Sequence, residues 1–323
     1  MKAVVMYPNA EVPELVDWPR PASIDKGQVL LQVKAVAIKN LDISKAMGKH
    51  YSSSKNPEGQ IIGTDGVGLT PEGKRVYGFS KDGMLAEYSL VDSHFLVPVP
   101  DGLDDATAAA IPNAVMGSAM ALLFRAKLQP GETVLINGAT GVTGRVAIQV
   151  ARYYKAGKII VTGRNKEVWP ALKALGADQW ITLGEDLDIL SAAIRQINME
   201  TPIDIVLDYL WGNSAAAILS GLKGNGGFTH PCRYVSIGGM TGDKIELSSS
   251  ILRSTSLQLM GSGLGSWSKE EVGQRLLEII PVFFKLAAEG KLEMKTRIYP
   301  LDQIKTLWNA TLDSGVRAAV QIF

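Results

Sequence analysis

The sequence is poor in the residues that build disulfides and metal centres. Its 323 residues include one cysteine and three histidines. One cysteine cannot form an internal disulfide, and a Cys/His metal cluster would need more ligands than the chain can easily supply. The sequence therefore predicts no bound metal. Its composition is typical of an intracellular protein, for which we expect a cytoplasmic location.

An excess of charge of either sign is also missing. Lysine and arginine number 33, and aspartate and glutamate number 32, so the formal charge is +1 at pH 7. Surfaces that bind nucleic acid are usually strongly basic. We therefore expect no nucleic-acid partner.

Signals for secretion or membrane insertion are weak. The N-terminal apolar run has four residues before Tyr7-Pro8, which is too short for the core of a signal peptide. Residues 106–124 carry no charge, and these 19 residues are about enough to span a bilayer. This stretch contains Pro112, Asn113 and many alanines, which favours a buried loop that leads into a helix. The alanines of the segment 101–126 predict that helix, with Asp104 or Asp105 placed to cap its first turn. We therefore expect no membrane association.

The spacing of apolar residues divides the chain into two kinds of structure. Residues 1–100 contain short β-branched or alternating runs between glycine and proline turns, which predicts a small antiparallel barrel or sandwich. From Gly131 onward, strands and helices alternate, which predicts a parallel sheet with helices on both faces. The predicted strands lie at 133–137, 158–163, 180–183, 203–209, 233–239 and 256–263, and the predicted helices at 142–154, 167–175, 186–199 and 213–222. A long helix at 269–289 and a strand–helix–strand segment at 296–323 return to a mixed pattern.

One strand–loop–helix segment carries the strongest chemical signal. The apolar strand TVLIN is followed by Gly138-Ala-Thr-Gly141-Val-Thr-Gly144 and then by an amphipathic helix. Glycines at such a loop allow a sharp turn and let a pyrophosphate approach the backbone N–H groups at the helix N-terminus. The segment therefore predicts dinucleotide binding. The alternative is a glycine-rich turn that only joins strand to helix.

The end of the next strand indicates which dinucleotide is bound. An Asp or Glu about 20 residues after the loop would hold the ribose hydroxyls of NAD. Here the sequence is Thr162-Gly163-Arg164-Asn165, and an arginine suits a 2′-phosphate. We therefore expect NADPH to be preferred to NADH. In the alternative, Arg164 is a solvated surface residue and the protein does not discriminate.

Segments along nearly the whole chain resemble one enzyme superfamily. They are MKAVV, GQVLLQVKAVAI, GTDGVG, RVYGF, GMLAEYSLV, LQPGETVLINGATGVTG, LKALGAD and DIVLD. Together they resemble the medium-chain dehydrogenase/reductase superfamily, and above all its zinc-independent quinone oxidoreductase branch. The resemblance implies an α/β fold, in which a Rossmann doubly wound parallel sheet at 115–258 joins a GroES-like β-barrel catalytic domain at 1–114 and 259–323. It also implies a homodimer.

The resemblance bears on the chemistry as well. Zinc-dependent members carry a cysteine after the second strand and a histidine–glutamate pair near GTDGVG. Here the first region reads Ile38-Lys39-Asn40-Leu41-Asp42, and the second has Glu58 but no histidine. The implied reaction is metal-free hydride transfer from NADPH to a small-molecule quinone or α,β-unsaturated carbonyl (enone), whose oxygen can take up negative charge. A dedicated enoyl reductase, or an NADPH-binding sensor or structural protein with little turnover, stays open.

Specific residues follow from the same resemblance. Asn40 and Asp42 fall near the segment that lines the nicotinamide end, with Lys39 as an alternative to the asparagine. The implied cofactor contacts are Ser118, Gly141, Val142, Thr143, Gly144, Ile237, Gly238 and Gly239, and Gly163, Arg164 and Asn165 join them at the 2′-phosphate. Tyr51 is a candidate for the substrate pocket, since its ring could stack on a quinone and its hydroxyl could donate a proton. Alternatively, Tyr51 is a loop residue that packs against the barrel.

Overall fold

The chain forms two compact units. The computed structural model describes residues 1–22, 24–50, 53, 56–227 and 229–323. Unit 1 comprises residues 1–113 and 273–323, and unit 2 comprises residues 114–272.

Unit 1 is built mainly from antiparallel strands. Its strands are β1 (Lys2–Met6), β2 (Glu14–Asp17), β3 (Gln28–Ile38), β4 (Gln60–Ile61), β5 (Asp65–Leu69), β6 (Arg75–Phe79), β7 (Tyr88–Asp92), β8 (Val97–Pro98), β15 (Lys295–Pro300) and β16 (Val316–Gln321). A seven-stranded sheet has the order β15-β16-β3-β5-β6-β8, with β7 also paired to β3, and a three-stranded sheet has the order β2-β1-β4. All these pairs are antiparallel except β15 with β16. Apolar side chains from β1, β3, β6, β7 and β16 form the core between them.

Unit 1 also contains two short helices, α1 and α9, that connect its strands. Helix α1 (Asn40–Ala46) starts directly after β3, and helix α9 (Ile304–Trp308) joins β15 to β16. The carboxylate of Asp42, in the first turn of α1, accepts a hydrogen bond from the Lys39 backbone N–H and so holds the start of the helix.

Unit 2 contains a six-stranded parallel sheet. Its strands are β9 (Thr133–Asn137), β10 (Lys158–Gly163), β11 (Gln179–Thr182), β12 (Ile205–Asp208), β13 (Cys232–Ser236) and β14 (Leu257–Gly261), in the order β11-β10-β9-β12-β13-β14. The helices between them are α3 (Val142–Tyr153), α4 (Trp169–Ala174), α5 (Leu187–Glu200), α6 (Gly212–Gly221) and α7 (Ser249–Ser254). In such a sheet, ligands bind at the carboxyl ends of the strands where the strand order reverses, which here is between β9 and β12.

The boundaries between the two units differ from the predicted domain boundaries, mainly at the second one. The first unit boundary lies between residues 113 and 114, and the second lies between 272 and 273. The second one comes after the predicted junction at 258/259 because β14 hydrogen-bonds along its length to β13 and so belongs to the parallel sheet. The predicted domain limits themselves stay a prediction.

The uncharged stretch at 106–124 is helical over most of its length. The helix predicted from its alanines is α2, from Asp105 to Met120, and a π-helical turn follows from Ala121 to Arg125. The buried loop expected around Pro112 is instead part of helix α2. The Asp104 carboxylate caps its start by accepting a hydrogen bond from the Thr107 N–H at 2.8 Å. The helix is long and apolar enough to cross a membrane, but 72% of its most apolar window is buried in the protein, as in a core helix. Helix α8 (Lys269–Ala288) also contains a proline, Pro281.

Candidate functional site

The loop between β9 and α3 packs closely against the start of the helix at one glycine and is open at another. Helix α3 starts at Val142 with Gly141 as its N-cap. A Cβ at Gly144 would lie 2.5 Å from the Ala139 Cα and from the Gly138 carbonyl oxygen, so only glycine lets the helix approach the loop this closely. A Cβ at Gly141, by contrast, would meet no atom within 4 Å. The space beside Gly141, at the N-terminus of α3, is therefore open, and the N-terminus of a helix after such a loop is where a pyrophosphate binds.

The end of β10 is fastened to this loop. The Thr162 hydroxyl accepts a hydrogen bond from the Gly138 N–H at 3.0 Å, and its carbonyl accepts one from the Ala139 N–H. Gly163 is packed against the Thr140 side chain and the Trp180 ring, which leaves no room for a Cβ. The next residue, Arg164, is exposed directly beyond the strand. The predicted contact of Arg164 with a 2′-phosphate stays a prediction.

Asn165 has a role that the sequence did not show. Its side-chain oxygen accepts a hydrogen bond from the Glu167 N–H at 2.9 Å and caps the short 3-10 helix Lys166–Val168. A side chain engaged in this way is less available to a ligand than Arg164. The predicted contact of Asn165 with the cofactor stays a prediction.

The ends of β12 and β13 bring together most of the residues predicted for the nicotinamide. The Asp208 carbonyl accepts hydrogen bonds from the N–H groups of Ile237 and Gly238. Ile237 also lies beside Gly117 of α2, whose neighbour Ser118 is fully buried. Gly239 follows on the same turn. Four predicted cofactor contacts, Ser118 and 237–239, therefore lie at the carboxyl edge of the sheet.

A buried carboxylate under this edge was not found by sequence reasoning. The Asp208 side chain accepts hydrogen bonds from the Asn137 amide (2.8 Å), from the Tyr234 hydroxyl (2.7 Å) and from the backbone N–H groups of Leu210 and Trp211. Burial raises the pKa of Tyr234, and the Asp208 carboxylate raises it further, so the phenol remains a donor. The available signal was a charged residue at the end of the apolar strand IDIVLD.

Unit 1 contains a second buried polar group, centred on a lysine. The Lys39 ammonium lies 2.5 Å from a carboxylate oxygen of Asp65 and 3.1 Å from one of Asp42, and donates to the Ala37 carbonyl at 3.0 Å. Burial acts to lower the pKa of Lys39, but the two carboxylates outweigh it and raise the pKa above its ordinary value. Lys39 is therefore a fixed cation at neutral pH.

The remaining oxygens of the two carboxylates are also engaged. Thr64 donates from its backbone N–H and its hydroxyl to Asp42, and the Tyr77 hydroxyl donates to Asp65 at 2.5 Å. Arg317 on β16 is buried beside them, and its Nε has no hydrogen-bond partner among the described residues. Burial lowers the pKa of this guanidinium, whereas the carboxylates of the cluster oppose that change. We call Lys39, Asp42, Asp65, Tyr77 and Arg317 the buried charge cluster.

The three residues predicted to be catalytic have different surroundings. Asn40 is the first residue of α1 and is exposed. Asp42 is buried, and its oxygens bind Lys39 and Thr64, so in this structure it acts as a positioning group. Tyr51 lies outside the described residues. Their catalytic roles stay predictions.

With this geometry in place, two similar proteins are informative. The probable NADPH-dependent quinone reductase tdiC of Emericella nidulans is 26% identical, and the match covers 98% of this chain and 99% of that protein. The quinone oxidoreductase of Thermus thermophilus, solved alone and in complex with NADPH, is 27% identical with a TM-score of 0.77, and the match covers 99% of this chain and 100% of that chain. No protein-family model matches the chain.

These matches run along nearly the full length of this chain and of the two similar proteins. They confirm the predicted resemblance to the quinone oxidoreductase branch of the medium-chain dehydrogenase/reductase superfamily. The predicted fold class is confirmed with it, because solved members of this superfamily combine a Rossmann domain with a GroES-like domain.

Two further similarities concern an enoyl reductase and a polyketide synthase. The CurK enoyl reductase is 20% identical with a TM-score of 0.79, over 100% of this chain and 99% of that chain, a likeness of fold alone. The polyketide synthase Pks15/1 of Mycobacterium marinum is 31% identical over 67% of this chain, and the match spans only 10% of that protein. The chain thus corresponds to one segment of a much longer synthase.

The buried charge cluster leads to a stability prediction. Lys39→Met leaves two buried carboxylates without the ammonium that contacts both of them, so we expect a loss of about 3–5 kcal/mol in the free energy of unfolding at pH 7. Because folding raises the Lys39 pKa, this contribution is complete at neutral pH and is lost only as the pH rises past the ordinary value of 10.5. Urea unfolding followed by circular dichroism measures it.

The matched control is Lys2→Met, which removes another lysine ion pair. Lys2 and Asp17 lie 2.9 Å apart but are exposed, so solvent screens their attraction. We expect the control to unfold almost as the unsubstituted protein does. Equal losses in the two variants would contradict a stabilising role for the cluster.

Proposed function

We propose that this protein is an NADPH-dependent oxidoreductase that transfers a hydride to a quinone or to an α,β-unsaturated carbonyl compound. The observation that carries the proposal is the glycine loop before α3, which is open at Gly141. Arg164 is exposed at the end of the adjacent strand, at the position where an acidic residue would bind NAD. The full-length similarity to tdiC and to the Thermus quinone oxidoreductase supports the same cofactor and substrate class.

Each part of the site then has a defined task. The N–H groups at the start of α3 bind the pyrophosphate, and the Arg164 guanidinium pairs with the 2′-phosphate. Ser118, Ile237 and Gly238 border the nicotinamide. NADPH, when bound, supplies the hydride, and the acceptor takes the resulting negative charge on its carbonyl oxygen. The protein contributes chiefly position and a site that excludes water.

Metal-free chemistry is part of this proposal. The Lys39 ammonium lies between the carboxylates of Asp42 and Asp65 and contacts one oxygen of each. A divalent ion would have to displace this lysine. Asn40, Asp42 and Tyr51 are proposed to act at the substrate end.

The assembly and location are proposed as well. β14 forms one end of the six-stranded sheet and pairs on its other side with no described strand. Edge-to-edge pairing of two copies at β14 would join two sheets around a twofold axis, which supports a homodimer. We place the protein in the cytoplasm, with a small molecule as its partner.

A second candidate is a dedicated enoyl reductase that acts on one acyl substrate. The similarity to the CurK enoyl reductase and to a segment of polyketide synthase Pks15/1 favours it. Relative rates with quinones and enones separate the two candidates.

The first experiment follows NADPH consumption by its near-ultraviolet absorbance, with a simple benzoquinone and with a short enal. We expect saturable consumption that is faster with NADPH than with NADH. A strong preference for the enal would favour the enoyl reductase. NADPH binding without any turnover would contradict the proposed activity.

Arg164 should determine the preference for the cofactor. Removing one charge-assisted contact to a phosphate with Arg164→Ala should weaken NADPH binding about 10- to 100-fold while NADH binding changes little. Titration of intrinsic fluorescence gives both dissociation constants. Arg195→Ala, at an exposed arginine on α5, is the control and should alter neither. Equal losses for NADPH and NADH in Arg164→Ala would contradict the assignment.

The two loop glycines should respond differently to alanine. A Cβ at Gly144 meets backbone atoms at 2.5 Å, so Gly144→Ala should lower the unfolding midpoint and abolish NADPH binding. A Cβ at Gly141 meets nothing in the free protein, so Gly141→Ala should leave the midpoint unchanged yet weaken NADPH binding at least about tenfold. Thermal unfolding and binding titrations test both. Full NADPH affinity in Gly141→Ala would argue against a phosphate at this position.

A further inference from the structure

One buried hydroxyl at the carboxyl edge of the unit 2 sheet forms no hydrogen bond with any described residue. Tyr209 follows directly after β12, and only 7% of its surface is exposed. Its hydroxyl oxygen is buried and has no hydrogen-bond partner among the described residues. Buried polar atoms in native proteins are nearly always paired, so an orphaned donor requires an explanation.

Other buried tyrosines of the chain show what a purely structural hydroxyl does. Tyr77 donates to Asp65 at 2.5 Å and Tyr234 donates to Asp208 at 2.7 Å. Ser118 lies near the Tyr209 hydroxyl and acts to lower its pKa, while its own hydroxyl donates to the Ala114 carbonyl at 2.8 Å. Among the described residues, however, no acceptor lies within hydrogen-bond distance of the Tyr209 hydroxyl, in contrast to Tyr77 and Tyr234.

The position of Tyr209 indicates which ligand would supply that acceptor. A Cβ at Gly238 would lie 2.8 Å from the Tyr209 carbonyl oxygen, so this residue packs against the turn 237–239. Ser118 approaches it from α2. These are the residues to which the proposed function assigns the nicotinamide end of NADPH.

The protonation state of the Tyr209 phenol indicates which kind of ligand group it would bind. Burial raises the pKa of Tyr209 well above its ordinary value, so the group stays protonated and acts as a neutral hydrogen-bond donor. A neutral donor in an apolar site suits a neutral carbonyl better than it suits a phosphate, which prefers charged donors. The nicotinamide group carries one such carbonyl, in its carboxamide.

We propose that the Tyr209 hydroxyl donates a hydrogen bond to the carboxamide oxygen of the bound nicotinamide and so fixes the orientation of the ring. The inference rests on the proposed function and adds a residue to it. Because the hydroxyl is inaccessible in the free protein, its side chain turns towards the cofactor when NADPH binds. No bond is broken in this step, and Tyr209 keeps its proton.

The test uses Tyr209→Phe, which removes only the oxygen. Loss of one neutral hydrogen bond should weaken NADPH binding about three- to tenfold. Binding of 2′,5′-ADP, which keeps the 2′-phosphate but lacks the nicotinamide, should be unchanged. In the absence of any nucleotide, the variant should unfold at the same temperature as the unsubstituted protein or higher, since it loses an unpaired buried donor. Titration calorimetry and thermal unfolding give these three readouts.

Two control variants separate this role from a structural one. Tyr153→Phe changes a tyrosine that is 45% exposed and should alter none of the readouts. Tyr234→Phe removes a hydroxyl bonded to Asp208 and should lower the unfolding temperature of the free protein.

Three results with the Tyr209→Phe variant would overturn the inference. They are unchanged NADPH affinity in Tyr209→Phe, an equal loss of affinity for NADPH and 2′,5′-ADP, and a lowered unfolding temperature of the free variant. Absence of NADPH binding by the unsubstituted protein would also overturn it. NADPH binding without reduction of any quinone or enone contradicts only the proposed reaction, and the comparison of binding constants still decides the role of Tyr209.

Discussion

The carboxylate of Asp208 is the constraint on which the nucleotide-binding edge of unit 2 depends. It is fully buried and forms no ion pair with any described residue, so its charge is stabilised by hydrogen bonds from Asn137, Tyr234 and the turn after β12. Asn137 in turn accepts a hydrogen bond from the Thr162 hydroxyl at 2.7 Å. One network thus links the carboxyl ends of β9, β10, β12 and β13, the edge at which the proposed cofactor contacts lie.

Unit 1 also buries charged side chains, and it stabilises them by bringing opposite charges together. Two buried carboxylates, Asp42 and Asp65, face the Lys39 ammonium, and the Arg317 guanidinium is a second buried cation beside them. Desolvation of these ions is costly, and a close ion pair offsets it only when the remaining donors and acceptors are also engaged. The hydroxyls of Thr64 and Tyr77 meet that requirement for the carboxylates. The result is a rigid centre next to α1, where the catalytic residues are proposed.

The regular parts of unit 2 could be predicted from the sequence because local patterns determine them. The apolar runs at 133–137 and 158–163 became β9 and β10 with the expected limits. The helix that leads to Ser118 could also be predicted, from its alanines and from Asp104, whose carboxylate caps its start. Only the loop expected within the uncharged stretch was wrong, because Pro112 lies inside the helix. The buried charge cluster was beyond prediction, because β3, β5, β6 and β16 bring its residues together from opposite ends of the chain. No local pattern encodes such pairings.

The contrast between satisfied and unsatisfied groups is what separates structure from function at the candidate site. Asn137 and Tyr234 both donate hydrogen bonds to Asp208, so removing any of the three side chains should lower the free energy of unfolding. Arg164 is exposed, and the hydroxyl of Tyr209 is buried without a partner among the described residues, so neither group stabilises the free protein through a visible contact. A group that adds nothing to the fold can still stabilise a complex that supplies its missing acceptor. Arg164 and Tyr209 lie near the two ends proposed for the dinucleotide, where a phosphate and a carboxamide would supply those acceptors.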